Sequence, residues 1–208
     1  MNIGLIPMAA KPYHAGHHAL VEMAAGSNDE VLLYVSISDR KREGELPVSG
    51  ADMKKIWDEE IEKILPGNVT AVYGGSPVRH VYDVLGNAEE KLVAGDYDGH
   101  VYTVYSDPVD TASNYTEASR QKYFPTVEAQ GFVKFAAEDD PAAFTRGEGT
   151  PDVSGTAMRS ALQSCDIESF RTGMPADINV ENVYNILCNK NSMDEAILRS
   201  LIQSIVRM

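Results

Sequence analysis

Five short apolar runs, separated by stretches of helical character, constrain this chain more than any other feature. The runs are Ile3–Ala9, Glu30–Ile37, Val69–Tyr73, His100–Tyr105 and Phe132–Ala136. The second, Glu-Val-Leu-Leu-Tyr-Val-Ser-Ile, is nearly continuous in apolar and β-branched residues, the pattern of a strand buried on both faces. Helices are expected over about His17–Ala25, Ala51–Leu65 and Val78–Leu92. The second of these carries Met53, Ile56, Trp57, Ile61 and Ile64 on one side and stops at Pro66-Gly67. Trp57 falls on that apolar stripe and reads as core rather than as a stacking surface. Strands alternating with helices at this spacing imply βαβ units, right-handed crossovers and a mostly parallel sheet.

The remainder is less regular. Thr116–Gln130 is weakly helical and broken by Pro125, and Glu138–Pro151, acidic and rich in Gly and Pro, reads as an exposed loop. Short helices are expected near Thr156–Ser164 and Ile167–Thr172. Helices at Val180–Cys188 and Met193–Val206 follow, the last opened by a Ser192-Met-Asp-Glu195 capping box. These C-terminal helices are candidates for a lid or for a surface through which the chain forms a homo-oligomer. The 208 residues fit one domain, with a core over about residues 1–175 and a C-terminal extension over about 176–208.

With 18 Lys and Arg against 31 Asp and Glu, the formal net charge is −13, which argues against a nucleic-acid partner. An acidic protein still binds an anionic substrate where its cations gather in one cleft and Mg²⁺ screens the phosphates. Cys165 and Cys188 have no metal-ligand spacing and read as free thiols of a reducing compartment. The N-terminus lacks a basic region, and Pro7 and Lys11 interrupt its apolar stretch, so it does not read as a signal peptide. No run approaches the roughly 18 apolar residues of a membrane span. The expectation is a cytoplasmic protein that engages neither membrane nor nucleic acid.

The first strand breaks at Lys11-Pro12 and delivers His14-Ala15-Gly16-His17 where a helix begins. Open α/β sheets bind ligands at such a turn. A helix N-terminus offers unpaired N–H groups and partial positive charge, Gly16 permits close backbone approach, and imidazoles add donors for charge developing on a polyphosphate. One histidine alone is ordinarily a core or solvated residue; two at this turn make a candidate site. His18 projects from another side of the helix and reads as structural. A zinc site needs a third ligand, and no Cys or carboxylate stands at helical spacing from His14 and His17, so no metal ligands are assigned.

Far downstream, Val153-Ser-Gly-Thr-Ala-Met-Arg159 runs into a helical pattern. A Ser/Gly/Thr cluster at that place is first of all a helix cap. The functional reading adds hydroxyls and N–H groups aimed at a phosphate, with Arg159 on the face of Thr156 and able to fork two phosphate oxygens. Neither glycine-rich phosphate motif, Gly-x-x-x-x-Gly-Lys-Ser/Thr or Gly-x-Gly-x-x-Gly, occurs here.

Taken in order, the two motifs carry a resemblance. Pro12-Tyr-His-Ala-Gly-His17 resembles the His-x-Gly-His signature of the nucleotidylyltransferase superfamily, and Val153-Ser-Gly-Thr-Ala-Met-Arg159 resembles its second signature, Ile-Ser-x-Thr-x-x-Arg. Asp166-Ile-Glu-Ser-Phe170, followed by Met174-Pro175, resembles the short helix and proline that come after that signature in adenylyltransferases. The Gly155 form of the second signature is similar to that of nicotinamide-mononucleotide adenylyltransferases and ATP sulfurylases. The chain departs from those enzymes at Met8-Ala-Ala-Lys-Pro12, where they carry Gly-Arg-Phe-x-Pro, and at Met53, where they carry an Arg. Lys11 is a candidate for the charge they place elsewhere. Cytidylyltransferases carry a different second signature, and class I aminoacyl-tRNA synthetases a Lys-Met-Ser-Lys-Ser string that this chain lacks.

Pattern and resemblance together lead to an expected Rossmann-like, open, mostly parallel five-stranded sheet in the order 3-2-1-4-5. Helices lie on both faces, and a helical extension follows. The resemblance implies transfer of a nucleoside monophosphate, AMP from ATP first, to a phosphorylated small-molecule acceptor such as nicotinamide mononucleotide. Cytidylyl transfer from CTP and a non-catalytic nucleotide sensor are the alternatives. It implies catalytic roles for Lys11, His14, His17 and Arg159, and nucleotide contacts from Pro7, Met8, Ala9, Gly16, Ser154, Gly155 and Thr156, with Mg²⁺ carried by the substrate. Arg40-Lys41-Arg42, the one dense basic cluster, lies after strand two on the ligand side; it reads either as a solvated loop or as a phosphate clamp. Asp107 stands at another ligand-side position, as a ribose or base contact or as a turn former before Pro108.

Overall fold

A computed structural model describes residues 1–188. Its sheet is built from β1 (Asn2–Met8), β2 (Glu30–Val35), β3 (Val69–Tyr73), β4 (Val101–Val104) and β5 (Val133–Phe135), all parallel, in the order β3-β2-β1-β4-β5. This is the expected order. The chain winds outward from β1 through β2 to β3, then crosses back so that β4 lies on the other flank of β1. The crevice at the carboxyl ends of β1 and β4 is therefore a topological switch point, where open α/β sheets take their ligands.

Alternation along β1 explains the layering. Leu5 belongs to one apolar cluster, with Val81 and Leu85 of helix α3 (Pro77–Ala94) and Val127 of α6 (Pro125–Ala129). Its neighbour Ile6 belongs to the other, with Val21 and Ala24 of α1 (Ala15–Ser27) and Met53, Ile56 and Trp57 of α2 (Gly50–Ile56) and its continuation. Both faces of the sheet are thus covered by helices, and successive side chains feed two different cores. Leu5 pairs in register with Leu32 of β2 and Val104 of β4, both neighbours of a fully buried residue.

Local chemistry sets the helix ends. Ser76 accepts from the Arg79 N–H, Pro77 opens α3 at the position where a missing N–H costs nothing, and Gly95 closes it at φ 77°. The expected Ala51–Leu65 helix is realised in three pieces. After α2 comes a π turn over Trp57–Ile61, then a 3₁₀ turn over Glu62–Ile64; Trp57 and Ile61 are both buried in the core. Helix α4 (Pro108–Asn114) was not expected. Asp107, a turn former or ligand contact in the sequence, is its N-cap and accepts from the Asp110 N–H at 2.8 Å.

The weak helix at 116–130 resolves into α5 (Glu117–Tyr123) and α6 around a buried Phe124. The stretch 138–151 is a loop only in part: α7 (Ala136–Asp139) enters it, and a 3₁₀ turn at Ala142–Phe144 puts Phe144 into the core. Helices α8 (Gly155–Gln163) and α9 (Ile167–Thr172) follow, and residues 180–188 are helical. The helix expected at Met193–Val206, with its capping box, lies outside the described residues. Cys165 and Cys188 are free thiols with their sulfurs 4.0 Å apart. No helix among the described residues is long and apolar enough to cross a membrane.

Candidate functional site

The carboxyl ends of β1, β2 and β4 open into a cleft of about 1120 Å³. Every residue expected at the site lines it: Pro7, Met8, Ala9 and Lys11 from the end of β1, then His14, Gly16 and His17 at the start of α1. Ser154, Gly155, Thr156 and Arg159 come from the start of α8. His18 faces away, its Nδ1 3.0 Å from the Tyr13 hydroxyl and its Nε2 3.8 Å from Glu22.

His14 is the N-cap residue of α1 by backbone, φ −151° and ψ 172°, yet its side chain does no capping. The imidazoles of His14 and His17 instead stack on one another, centroids 3.7 Å apart at 22°. Neither ring hydrogen-bonds to the protein among the described residues, and both Nδ1 atoms are buried without a partner. Unsatisfied buried polar atoms are costly and uncommon in a native fold. Here they belong to two residues that line a ligand-sized cleft.

Burial first, then the nearby Arg146 and Arg159 charges, pull the His14 pKa down to about 4. Burial, His14 and Arg146 hold His17 well below the ordinary histidine range. Both rings are therefore neutral at pH 7, each with one N–H to donate.

Within the two motifs, glycine permits a close approach at two points. A Cβ at Gly16 meets the His14 ring at 3.2 Å, and one at Gly155 meets Arg159 Nη1 at 3.0 Å. Each motif thus uses its glycine to make room for its own functional side chain.

The α8 end is built in the same economical way. Ser154 caps the helix, its Oγ accepting from the Ala157 N–H at 3.0 Å, so the cap reading of the sequence is what the hydroxyl does here; its own proton is still available to an incoming acceptor. Arg159, 4% exposed, donates from Nη2 to Thr156 Oγ1 and from Nη1 to the Lys11 carbonyl, both at 2.9 Å. Burial first, then the Arg40 charge, lowers the Arg159 pKa against the pull of Glu45. Lys11 Nζ donates to the Ser36 carbonyl at 2.9 Å; burial lowers its pKa, opposed by Asp39.

Of the Arg40-Lys41-Arg42 cluster only Arg40 lines the main cleft. All three line a smaller adjoining pocket of about 230 Å³ with Lys11 and Ser36, and Lys41 Nζ sits 3.1 Å from Asp39.

Several lining residues were not legible in the sequence. Arg146 reaches the cleft from a tight loop closed by the Gly147 N–H on the Thr150 carbonyl at 2.8 Å; a lone arginine in an acidic stretch was the only signal. Phe144 and Tyr115 also line it, the latter with a buried hydroxyl that lacks a partner. Asp110 lines the cleft beyond β4 together with Asp107, which the sequence does mark as a ligand-side position; burial, then the Asp107 charge, raises the Asp110 pKa. Cations therefore come from the turns after β1 and β2, from the loop that holds Arg146 and from α8, whereas the carboxylates come from the turn after β4. No group of three or more His, Cys, Asp or Glu side chains suited to a metal ion occurs among the described residues.

No family model matches the chain, and no curated protein sequence matches it.

Proposed function

We propose that this protein is a nucleotidylyltransferase of the adenylyltransferase kind. It takes ATP and a phosphorylated small-molecule acceptor, with nicotinamide mononucleotide the first to test, and releases pyrophosphate. One observation carries the reading: His14 and His17 share a single cleft with Ser154, Thr156 and Arg159, which stand far away in sequence. An acceptor phosphate oxygen attacks the α-phosphorus in line, the α–β bridging P–O bond breaks, and its electrons leave on pyrophosphate. Such a step needs positioning and charge stabilisation rather than a protein nucleophile.

Neutral imidazoles suit this task, because they donate N–H bonds to phosphate oxygens without a competing anion already on the ring. His17 meets the oxygens on which charge grows, and His14 stacks on it as the second donor. Ser154 and Thr156 meet the β- and γ-phosphates, and Lys11 and Arg159 offset the charge of the departing pyrophosphate. Around the histidines the wall carries cations and imidazoles, which fits Mg²⁺ arriving on the triphosphate, held by phosphate and water, rather than in a protein cage. When bound it screens phosphate charge.

The test is a screen of the four nucleoside triphosphates against a panel of phosphorylated acceptors, read by pyrophosphate release. Release with ATP and one acceptor supports the reading. Release with CTP alone moves the protein to cytidylyl transfer, and triphosphate binding without any release makes it a nucleotide sensor.

A further inference from the structure

The loop between β2 and α2 folds back on itself at the rim of the cleft, which it lines through Ser36 and Arg40. Arg40 and Val48 exchange backbone hydrogen bonds of 2.9 and 3.0 Å, and the turn between them carries Glu45 inward. Glu45 Oε2 accepts from Arg40 Nε at 3.1 Å and Nη2 at 2.9 Å. The same oxygen lies 3.0 Å from Arg159 Nε. The other two nitrogens of Arg159 are committed to Lys11 and Thr156, so Glu45 covers the one edge of that guanidinium left open. The contact is an ion pair without a hydrogen bond, since the Nε–H is not aligned with the carboxylate and has no other acceptor.

A carboxylate oxygen that joins two arginines of a cleft sits where a phosphate oxygen would sit. We propose, on the reading that the cleft binds polyphosphate, that Glu45 is a built-in competitor that selects ligands by charge. A ligand engages Arg40 and Arg159 fully only by replacing Glu45. It must reach two guanidiniums at once and carry more negative charge than one carboxylate. A pyrophosphate or triphosphate group meets both conditions with charge and oxygens to spare; a single phosphate, with at most about twice the charge of the carboxylate, displaces it by a much narrower margin. The Arg40 hydrogen bonds and both arginine charges hold the Glu45 carboxyl below its ordinary range, so the competitor is ionised at neutral pH. The geometry also gives the loop a reason to move. Once a polyphosphate takes its place, Glu45 loses its partners and the 40–48 turn is freed to rearrange around the acceptor.

Calorimetric titration with inorganic tripolyphosphate, pyrophosphate and orthophosphate at fixed ionic strength tests this without any turnover. Glu45→Gln keeps the shape and removes the charge. Glu43→Gln, on the same loop and exposed, changes the net charge equally without touching either arginine. Glu45→Gln is expected to tighten pyrophosphate and tripolyphosphate by about tenfold, the scale of one charge-assisted contact. It should tighten orthophosphate at least as much, narrowing the preference for polyphosphate, while Glu43→Gln leaves all three unchanged. Polyphosphate binding to the wild type that is unchanged or weakened in Glu45→Gln overturns the competitor role and leaves the cleft reading standing. Equal tightening by Glu43→Gln overturns it too, by reducing the effect to net charge. No binding of any probe to either protein overturns the polyphosphate reading, and the proposal with it.

Discussion

Arg159 Nη1 donates to the carbonyl of Lys11 at 2.9 Å, across 148 positions of sequence. This one bond ties the start of α8 to the turn that follows β1. It fixes the distance between the two halves of the candidate site before any ligand arrives. The same guanidinium reaches Thr156 and Glu45, so a residue whose charge suits a phosphate also holds the walls of the cleft together.

Replacing Arg159 by Lys separates those duties. A lysine keeps the charge but has neither the fork nor the reach to serve Lys11 and Thr156 together. The Lys11 carbonyl is then left unpaired at a buried place, at a cost of about 1–3 kcal/mol. Arg159→Lys should lower the unfolding free energy by that amount, read as a lower urea midpoint, and reduce kcat/KM for the triphosphate more than stability alone explains. A variant with wild-type stability would show that the Lys11 bond is dispensable.

His17 makes the most direct prediction about chemistry. Its ring hydrogen-bonds to no protein group among the described residues, so His17→Ala removes a donor without stranding a partner. Turnover should fall on the order of 10²–10³-fold, as when one donor to a developing oxyanion is lost. KM for the triphosphate should move far less, because the arginines carry ground-state binding. Pyrophosphate release over a range of triphosphate concentrations separates the two constants; near-normal turnover in a folded variant ends the catalytic role.

Where the sequence was legible, it was so for physical reasons that can be named. The parallel sheet was visible because strands buried on both faces need nearly unbroken apolar runs, and Glu30–Val35 has one. Both ends of the cleft were visible because a histidine pair and a Ser-Gly-Thr cluster mark helix starts, where unpaired N–H groups collect. Arg146 and Phe144 were not, since an acidic loop with several glycines reads as solvated whatever two residues inside it do. Glu45 was invisible for another reason: two glutamates that follow three basic residues look like surface charge balance. Only coordinates place its oxygen between Arg40 and Arg159. Helix α4 was hidden by the proline that begins it, because Asp-Pro signals a turn and a helix N-terminus equally well.

The two close-approach glycines predict a shape effect separable from charge. Alanine at Gly16 brings a methyl carbon to 3.2 Å from the His14 ring, tighter than ordinary contact, so the ring must give by a few tenths of an ångström and its stack with His17 is disturbed. Gly16→Ala should lower turnover severalfold or more, while the helix itself gains a little from the better helix former. At Gly155 the same change meets Arg159 Nη1 at 3.0 Å and should weaken triphosphate binding as well. Thermal unfolding and kinetics on both variants check this. If activity survives in each, the cleft tolerates displacements that catalysis by positioning does not allow.

Stability against pH supplies a test that needs no substrate. His14 titrates near 4 in the folded protein against an ordinary value of 6.5, chiefly because it is buried. Its folded pKa is depressed, so between those values the unfolded chain binds more protons than the folded one. Stability from this group is therefore fully present above about pH 6.5 and drains away as pH falls toward 4. At pH 5 the loss is about 2 kcal/mol relative to pH 7. His14→Gln removes the titrating ring, so the wild type should lose more stability than the variant over this window, by about that amount. Urea unfolding of both proteins at pH 7 and pH 5 measures the difference directly. Parallel losses would mean that the ring is solvated, and so that the cleft does not hold its imidazoles in the neutral form on which phosphate donation depends.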